Sequence, residues 1–330
     1  MIKDTVSGKS RLSINEGGCH IFTKQYKSLI ALLIILAFVV AGCGGAPAKA
    51  PEKPSAAPTV DAVAVTKEAT WDAYKKVLAD NQAKNFPIDG AKAKELYQGN
   101  ESKYLVIDMR APEDYAKGHV KGAINLPIGM FASNLDKLPT DKTLMLYCYT
   151  GQTTALTVVP LKALGYKAIS ITKGFPTVEQ AGFAVDTVAV EFKAGAARVP
   201  ADPKEAAIQA GVIENFSAIA KQAASKTLII KGSEAKDLVA AAPDKYTIVD
   251  LRSAEDFDKA HVKGAVNIPL AQLKDKAPTL AKDKTVILYC YSGQTAAMAT
   301  APLKAEGFKL ASITTGFGEA EKGGFAIEKK

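Results

Sequence analysis

Arginine is scarce in this sequence. Arg11, Arg110, Arg198 and Arg252 are the whole supply, and the formal charge of +8 is carried almost entirely by scattered lysines. Nucleic-acid binders concentrate Lys and Arg along one groove or helix, often with stacking aromatics, and no such run is present, so no nucleic-acid partner is expected. Histidine is rarer still, with His20, His119 and His261. No grouping of His, Cys and carboxylates has metal-ligand spacing, so neither a metal nor another cofactor is expected. Long apolar runs are missing except for Leu29 to Ala41, which is too short for a comfortable membrane span and long enough for a signal-peptide core. What remains is ordinary: 48% hydrophobic residues in 330, enough for about two domains with buried cores.

The apolar run follows Lys24 and Lys27 and ends in Val40-Ala41-Gly42-Cys43. This ending resembles the lipobox of bacterial lipoproteins, which implies cleavage before Cys43 and acylation of its thiol. The expectation is a signal peptide over residues 1 to 42 and a protein exported and lipid-anchored to the bacterial cell envelope, facing the periplasm in a Gram-negative host. Residues 43 to 64, rich in Pro, Ala and Lys, read as the lipidated cysteine and a flexible tether.

Of the four cysteines, Cys19 leaves with the leader and Cys43 carries lipid, so Cys148 and Cys290 are the thiols of the folded part. Each lies in its own copy of a repeat. Asp108, Arg110, His119 and Cys148 recur as Asp250, Arg252, His261 and Cys290, each 142 positions further on, with no insertion between them. A disulfide would join two equivalent loops rather than staple one domain, and free thiols are expected. A period this long marks two whole domains. Residues 65 to 190 and 205 to 330 are each read as one domain with a preceding helix, joined by a linker over 191 to 204.

Within a copy, apolar runs such as Tyr104 to Ile107 and Leu144 to Tyr147 lack alternation and read as buried parallel strands. Amphipathic segments lie between them, one of them bent at Pro160 and stopped at Gly165. This alternation predicts an α/β fold, each domain a parallel sheet with helices on both faces. Ahead of the copies, residues 71 to 84 and 205 to 224 read as helices, the first burying Trp71, Tyr74, Val77 and Leu78 on one face.

The cysteine ends a strand, a short Gly-containing loop follows, and a helix begins. Such a loop points successive N–H groups at one spot, and the positive helix end adds to the field. These donors stabilise a thiolate, a nucleophile at the mouth of a small anion pocket. Gly151 supplies the freedom for amides to converge, while Thr150, Gln152, Thr153 and Thr154, with Ser292, Gln294 and Thr295 in the second copy, add uncharged donors.

These residues resemble the rhodanese family of sulfurtransferases. The resemblance rests on Asp108-x-Arg110, on Glu113-Asp114-Tyr115 followed by His119-Val120-x-Gly122-Ala123-Ile124-Asn125-x-Pro127, on the loop Cys148 to Thr153, and on the matching positions of the second copy through the loop Cys290 to Thr295. It implies two tandem rhodanese-like domains and a cycle in which the thiolate takes sulfane sulfur from thiosulfate, a polysulfide or a persulfide. The resulting cysteine persulfide passes sulfur to a thiol or cyanide. By the same resemblance Cys148 and Cys290 carry sulfur, while Tyr149, Thr150, Gly151, Gln152 and Thr153, with Tyr291, Ser292, Gly293, Gln294 and Thr295, bind the substrate. Neither loop holds a basic residue, which departs from members that favour thiosulfate. Small sulfur anions or thiols are the expected partners, together with a membrane reached through the lipid; the sequence leaves the oligomeric state open.

Arg110 and Arg252 either aim charge at the loop or pair with Glu113 or Asp114 and their counterparts, the second being favoured. The resemblance makes His119 and His261 structural. A cysteine phosphatase would want a longer loop ending in Arg, where Thr153 and Thr295 stand. The other alternative is a non-catalytic sulfane-sulfur carrier, sensor or docking module.

Overall fold

In the computed structural model, residues 60–84 and 87–329 are described. The signal, lipidation and most of the tether expected from the sequence lie outside them. No helix among the described residues is long and apolar enough to cross a membrane.

The chain begins with α1 (Val60–Lys84) and α2 (Gly90–Tyr97), the latter capped by Asp89, whose side chain accepts the Lys92 N–H. The first repeat continues β1 (Tyr104–Asp108), α3 (Pro112–Lys117), β2 (His119–Val120), β3 (Ile124–Asn125), α4 (Ile128–Phe131), β4 (Thr143–Tyr147), α5 (Gln152–Ala163), β5 (Ala168–Ser170), α6 (Phe175–Gln180) and β6 (Val185–Asp186). Next comes α7 (Pro203–Ala224), which Asp202 caps by accepting the Glu205 N–H, with Pro203 in the first turn, where its missing donor costs nothing. The second repeat follows as β7 (Ile229–Ile230), α8 (Gly232–Ala241), β8 (Tyr246–Asp250), α9 (Ala254–Lys259), β9 (His261–Val262), β10 (Val266–Asn267), α10 (Leu273–Lys276), β11 (Thr285–Tyr289), α11 (Gln294–Ala305), β12 (Lys309–Ile313), α12 (Phe317–Lys322) and β13 (Ile327–Glu328).

One local outcome differs from the sequence reading. Helix α1 starts at Val60, inside the stretch read as tether, because the last helix breaker is Pro58 and nothing beyond it opposes a helix. Helix α5 runs through Pro160 to Ala163, and Gly165 follows with φ +83°, at the expected stop.

Each repeat builds one all-parallel sheet, in the order β3-β1-β4-β5 and β10-β8-β11-β12-β7. In the first repeat an Ile88 to Ile171 bridge stands where β7 pairs β12 in the second. The strands are buried on both faces, which explains their unbroken apolar runs. Along them, Ile107, Leu144 and Leu146 face one core while Val106, Met145 and Tyr147 face another.

The first of those cores is shared by both repeats. It joins Tyr74, Val77 and Leu78 of α1, Leu156 and Val159 of α5, Val212, Phe216 and Ile219 of α7 and Met298 and Leu303 of α11 to residues of both sheets. Trp71, Tyr74, Val77 and Leu78 are all buried, as the helical spacing predicts. The two leading helices cross over: α7, which precedes the second repeat, packs on α4 of the first, while α1 touches Leu270–Gln272 of the second. Helices α5 and α11, each following a cysteine loop, pack against each other. Both cysteine loops therefore lie at one seam.

Candidate functional site

Each cysteine directly follows the C-terminal tip of a central strand, β4 or β11, the edge where open parallel sheets place their ligands. Gly151 and Gly293 then turn with φ +81° and start α5 and α11. The left-handed turn requires glycine and brings amides back toward sulfur: the Gly151 N–H donates to Cys148 Sγ at 3.2 Å. In the second copy the Ala296 N–H donates to Cys290 Sγ at 3.4 Å. Both cysteines are free thiols and are buried, 2% and 1% exposed.

A second wall, contributed by a strand-to-helix turn, went unassigned in the sequence. Gly174 (φ 63°) and Gly316 (φ 76°) press against the backbone of Cys148–Tyr149 and Cys290–Tyr291. The next residues, Phe175 and Phe317, donate their N–H to the Cys148 and Cys290 carbonyls at 2.8 and 2.7 Å. Lys173 and Thr315, just before these glycines, are themselves left-handed at φ 56° and 50°, a strain tolerated where the surrounding structure over-determines the turn. The available signal was the repeated Ser-Ile-Thr-x-Gly-Phe at 170 to 175 and 312 to 317.

Arg110 and Arg252 correct the expected pairing. Their carboxylate partners are Asp108 and Asp250, with Nη2 to Oδ2 at 2.7 Å in each copy, rather than Glu113, Asp114 or their counterparts. The reason is burial: Asp108 and Asp250 are wholly inside at the strand ends, where an unpaired carboxylate is costly, while Glu113 and Asp114 begin an outer helix. Arg110 Nη2 also donates to the Gly118 carbonyl, and its guanidinium lies 3.7 Å over the Phe175 ring. Burial opposes the charge on Arg110, but the bonds and field of Asp108 outweigh it and hold its pKa above the ordinary value. The arginine thus braces the second wall.

His119 and His261 lie away from the sulfur contacts. His119 is buried and stacked on Tyr115, with Nδ1 at 2.9 Å from the Tyr115 carbonyl and Nε2 at 3.1 Å from that of Val188. His261 repeats the arrangement on Phe257, with Nε2 facing Glu328. Asn125 and Asn267 donate to the carbonyls of Asp108 and Arg110, and of Asp250 and Arg252. These signature residues fasten the turn after β1 and β8. No metal-holding group occurs among the described residues.

The expected substrate contacts divide. Gly151 and Gly293 are buried in the loops, Thr150 and Ser292 are exposed, and Thr153 and Thr295 are half-buried at the helix starts. Tyr149 and Tyr291 are exposed and turn outward: the Tyr149 hydroxyl donates to Asp114 and accepts from the Ala111 N–H, while that of Tyr291 donates to Asp256. The side chains of Gln152 and Gln294, expected as donors to an anion, cross the seam instead. Gln152 Nε2 donates to Ser312 Oγ and the Ile313 carbonyl, and Gln294 Nε2 to the Thr150 carbonyl. Starting α5 and α11 at the packed interface leaves these two amides facing the other repeat.

Hydrogen bonds from Lys117 and then Tyr149 hold the Asp114 carboxyl below its ordinary value. A depressed carboxylate contributes stability above its ordinary value and loses it as pH falls through the depressed one. Tyr149→Phe is therefore expected to raise the titration midpoint of Asp114, measured by carboxyl-carbon NMR, leaving Asp256 in place. An unmoved Asp114 would show that the tyrosine does not hold it.

The Rhodanese-like domain pattern matches residues 92–180 and 232–320, together more than half of the chain; the chain belongs to that family, with two domains in tandem. It is 37% identical over 62 residues to the thiosulfate sulfurtransferase PspE of Escherichia coli (strain K12), covering 18% of this chain and 60% of that one. It is also 35% identical over 66 residues to the putative sulfur carrier protein YrkF of Bacillus subtilis (strain 168), covering 20% and 36%. A crystal structure of a thiosulfate sulfurtransferase from Pseudomonas aeruginosa aligns over 74% of this chain and 46% of that one, with TM-score 0.33 and 15% identity. The chain thus spans 36% of the length of YrkF and 60% of that of PspE, less than two thirds of either.

Proposed function

We propose that the protein is a sulfurtransferase in which Cys148 and Cys290 each carry sulfane sulfur as a persulfide. The observation that carries this reading is a thiol at each strand tip that accepts a backbone N–H, Gly151 at Cys148 and Ala296 at Cys290. Such N–H groups can hydrogen-bond the negatively charged outer sulfur of a persulfide. The thiolate attacks the outer sulfur of the donor and forms a new S–S bond. The donor's own bond to that sulfur breaks, and its remainder leaves with the electron pair. An acceptor thiolate, or cyanide, then takes the outer sulfur and returns the cysteine thiolate. With no basic side chain in either loop, a singly charged persulfide donor fits better than doubly charged thiosulfate. The same proposal puts this activity at the cell envelope; what supports it is the apolar run ending in Val40-Ala41-Gly42-Cys43 in the sequence, outside the described residues.

The test is intact-protein mass after exposure to thiosulfate or polysulfide, followed by an acceptor. The expected result is one added sulfur per loop cysteine, removed by the acceptor, with Cys148→Ser and Cys290→Ser each losing one. No gain at either cysteine would overturn the reading. The burial of both sulfurs favours one alternative, a carrier that retains sulfur, which would load but not turn over.

A further inference from the structure

The two repeats are not equivalent at their seam, and the difference reaches sulfur. The Gln294 side chain, from the second repeat, donates Nε2 to the Thr150 carbonyl of the first cysteine loop at 3.2 Å. The peptide unit that carries this carbonyl also carries the Gly151 N–H, because the six atoms of a peptide bond are one rigid plane. That N–H is the one held 3.2 Å from Cys148 Sγ. A continuous chain of donors and acceptors therefore runs from Gln294 through one peptide to the sulfur. Bonding at the carbonyl end polarises the N–H end and fixes its direction. The fit is close: a Cβ on Gly151 would stand 2.2 Å from Gln294 Nε2.

By repeat symmetry Gln152 should do the same for the second loop, and it packs against Gly293 as Gln294 does against Gly151. Its Nε2 goes elsewhere, to Ser312 Oγ at 3.2 Å and the Ile313 carbonyl at 3.3 Å, and its Oε1 is buried without a partner. The cause is one residue. In the first repeat the Thr154 hydroxyl occupies Ser170 Oγ at 2.7 Å. The second repeat has Ala296 at the position of Thr154, so Ser312, the counterpart of Ser170, stands open to Gln152. Cys290 accordingly has no Gly293 N–H bond to sulfur and takes the longer contact from Ala296.

We propose that Gln294 is a positioning residue acting across the seam: it holds the sulfur-binding peptide of Cys148, so the two cysteines are unequal and Cys148 depends on the opposite repeat. The inference deepens the sulfur-transfer reading and rests on it for its functional meaning, but its test needs no sulfur donor. Gln294→Met keeps the volume of the side chain and removes the donor. The measurement is the rate of alkylation of each cysteine by iodoacetamide across pH, resolved by peptide mass spectrometry on the full chain. One indirect bond to a charged acceptor corresponds to about a two- to threefold effect. The expected result is that Cys148 in Gln294→Met reacts more slowly by that factor near neutral pH, its profile moves to higher pH, and Cys290 changes less. A change confined to Cys290, an equal change at both, or none at either overturns the proposal. Should Gln294→Met not fold, as judged by its thermal transition, Gln294→Asn, too short to reach Thr150, gives the same readout. A shifted Cys148 profile in a protein that never loads sulfur would sink the proposed activity and leave the positioning role standing.

Discussion

Asp108→Ala is expected to lower the unfolding free energy by about 3–5 kcal/mol, seen as an earlier transition in urea. The carboxylate is wholly buried and accepts the Arg110 backbone N–H at 2.8 Å, Nε at 3.1 Å and Nη2 at 2.7 Å. Removing it leaves Arg110, only 6% exposed, charged and without its carboxylate. A typical domain has roughly 5–15 kcal/mol in total, so a large part of the margin goes with one side chain. The paired change Asp108→Asn with Arg110→Met should cost less than Asp108→Ala alone, because no uncompensated charge stays inside. If the double variant were the less stable, the buried pair would be contributing net stabilisation, and this account of it would be wrong.

Gly174→Ala is expected to cost about 1–3 kcal/mol and to reduce sulfur loading at Cys148 roughly tenfold, which needs only about 1.4 kcal/mol of misplacement at the site. Two effects coincide at this glycine. Its φ of 63° with ψ of −147° belongs to a region open essentially to glycine alone. An added Cβ would also stand 2.2 Å from the Cys148 carbonyl oxygen, which the Phe175 N–H now holds at 2.8 Å. The wall must move, and the cysteine loop with it. Cys290 should still load, since its own wall uses Gly316. Gly182→Ala is the control: φ there is 76°, yet nothing lies within 4 Å of the added Cβ. It bears the backbone cost without the collision. Site-resolved mass analysis decides, and equal loading at Cys148 in Gly174→Ala and Gly182→Ala would show that the wall does not shape the loop.

How far the site could be read in advance depended on how local each cause was. Strand, loop and helix around Cys148 follow from one contiguous stretch, and the repetition around Cys290 marked it as more than a buried small residue. In the sequence the outer-helix acids look available to Arg110, whereas the deciding quantity is the cost of leaving Asp108 alone in the interior. The wall at Gly174 comes from a turn far along the chain, and the repeated Ser-Ile-Thr-x-Gly-Phe showed that something was kept there but not what it touched.

By itself the sequence determined two copies of a parallel α/β unit, a cysteine at the tip of a central strand in each, and a glycine turn that bends amides toward it. Those are consequences of periodicity and backbone sterics, which act over a few residues. Only the tertiary structure decided that α1 and α7 cross between the repeats, that one core serves both, and that Gln152 and Gln294 spend their amides on the opposite half. Such contacts join residues more than 140 positions apart, and which donor meets which acceptor there depends on packing of the whole. The exchange of Thr154 for Ala296 is plain in the sequence, but its effect on Gln152 appears only when the two helices meet.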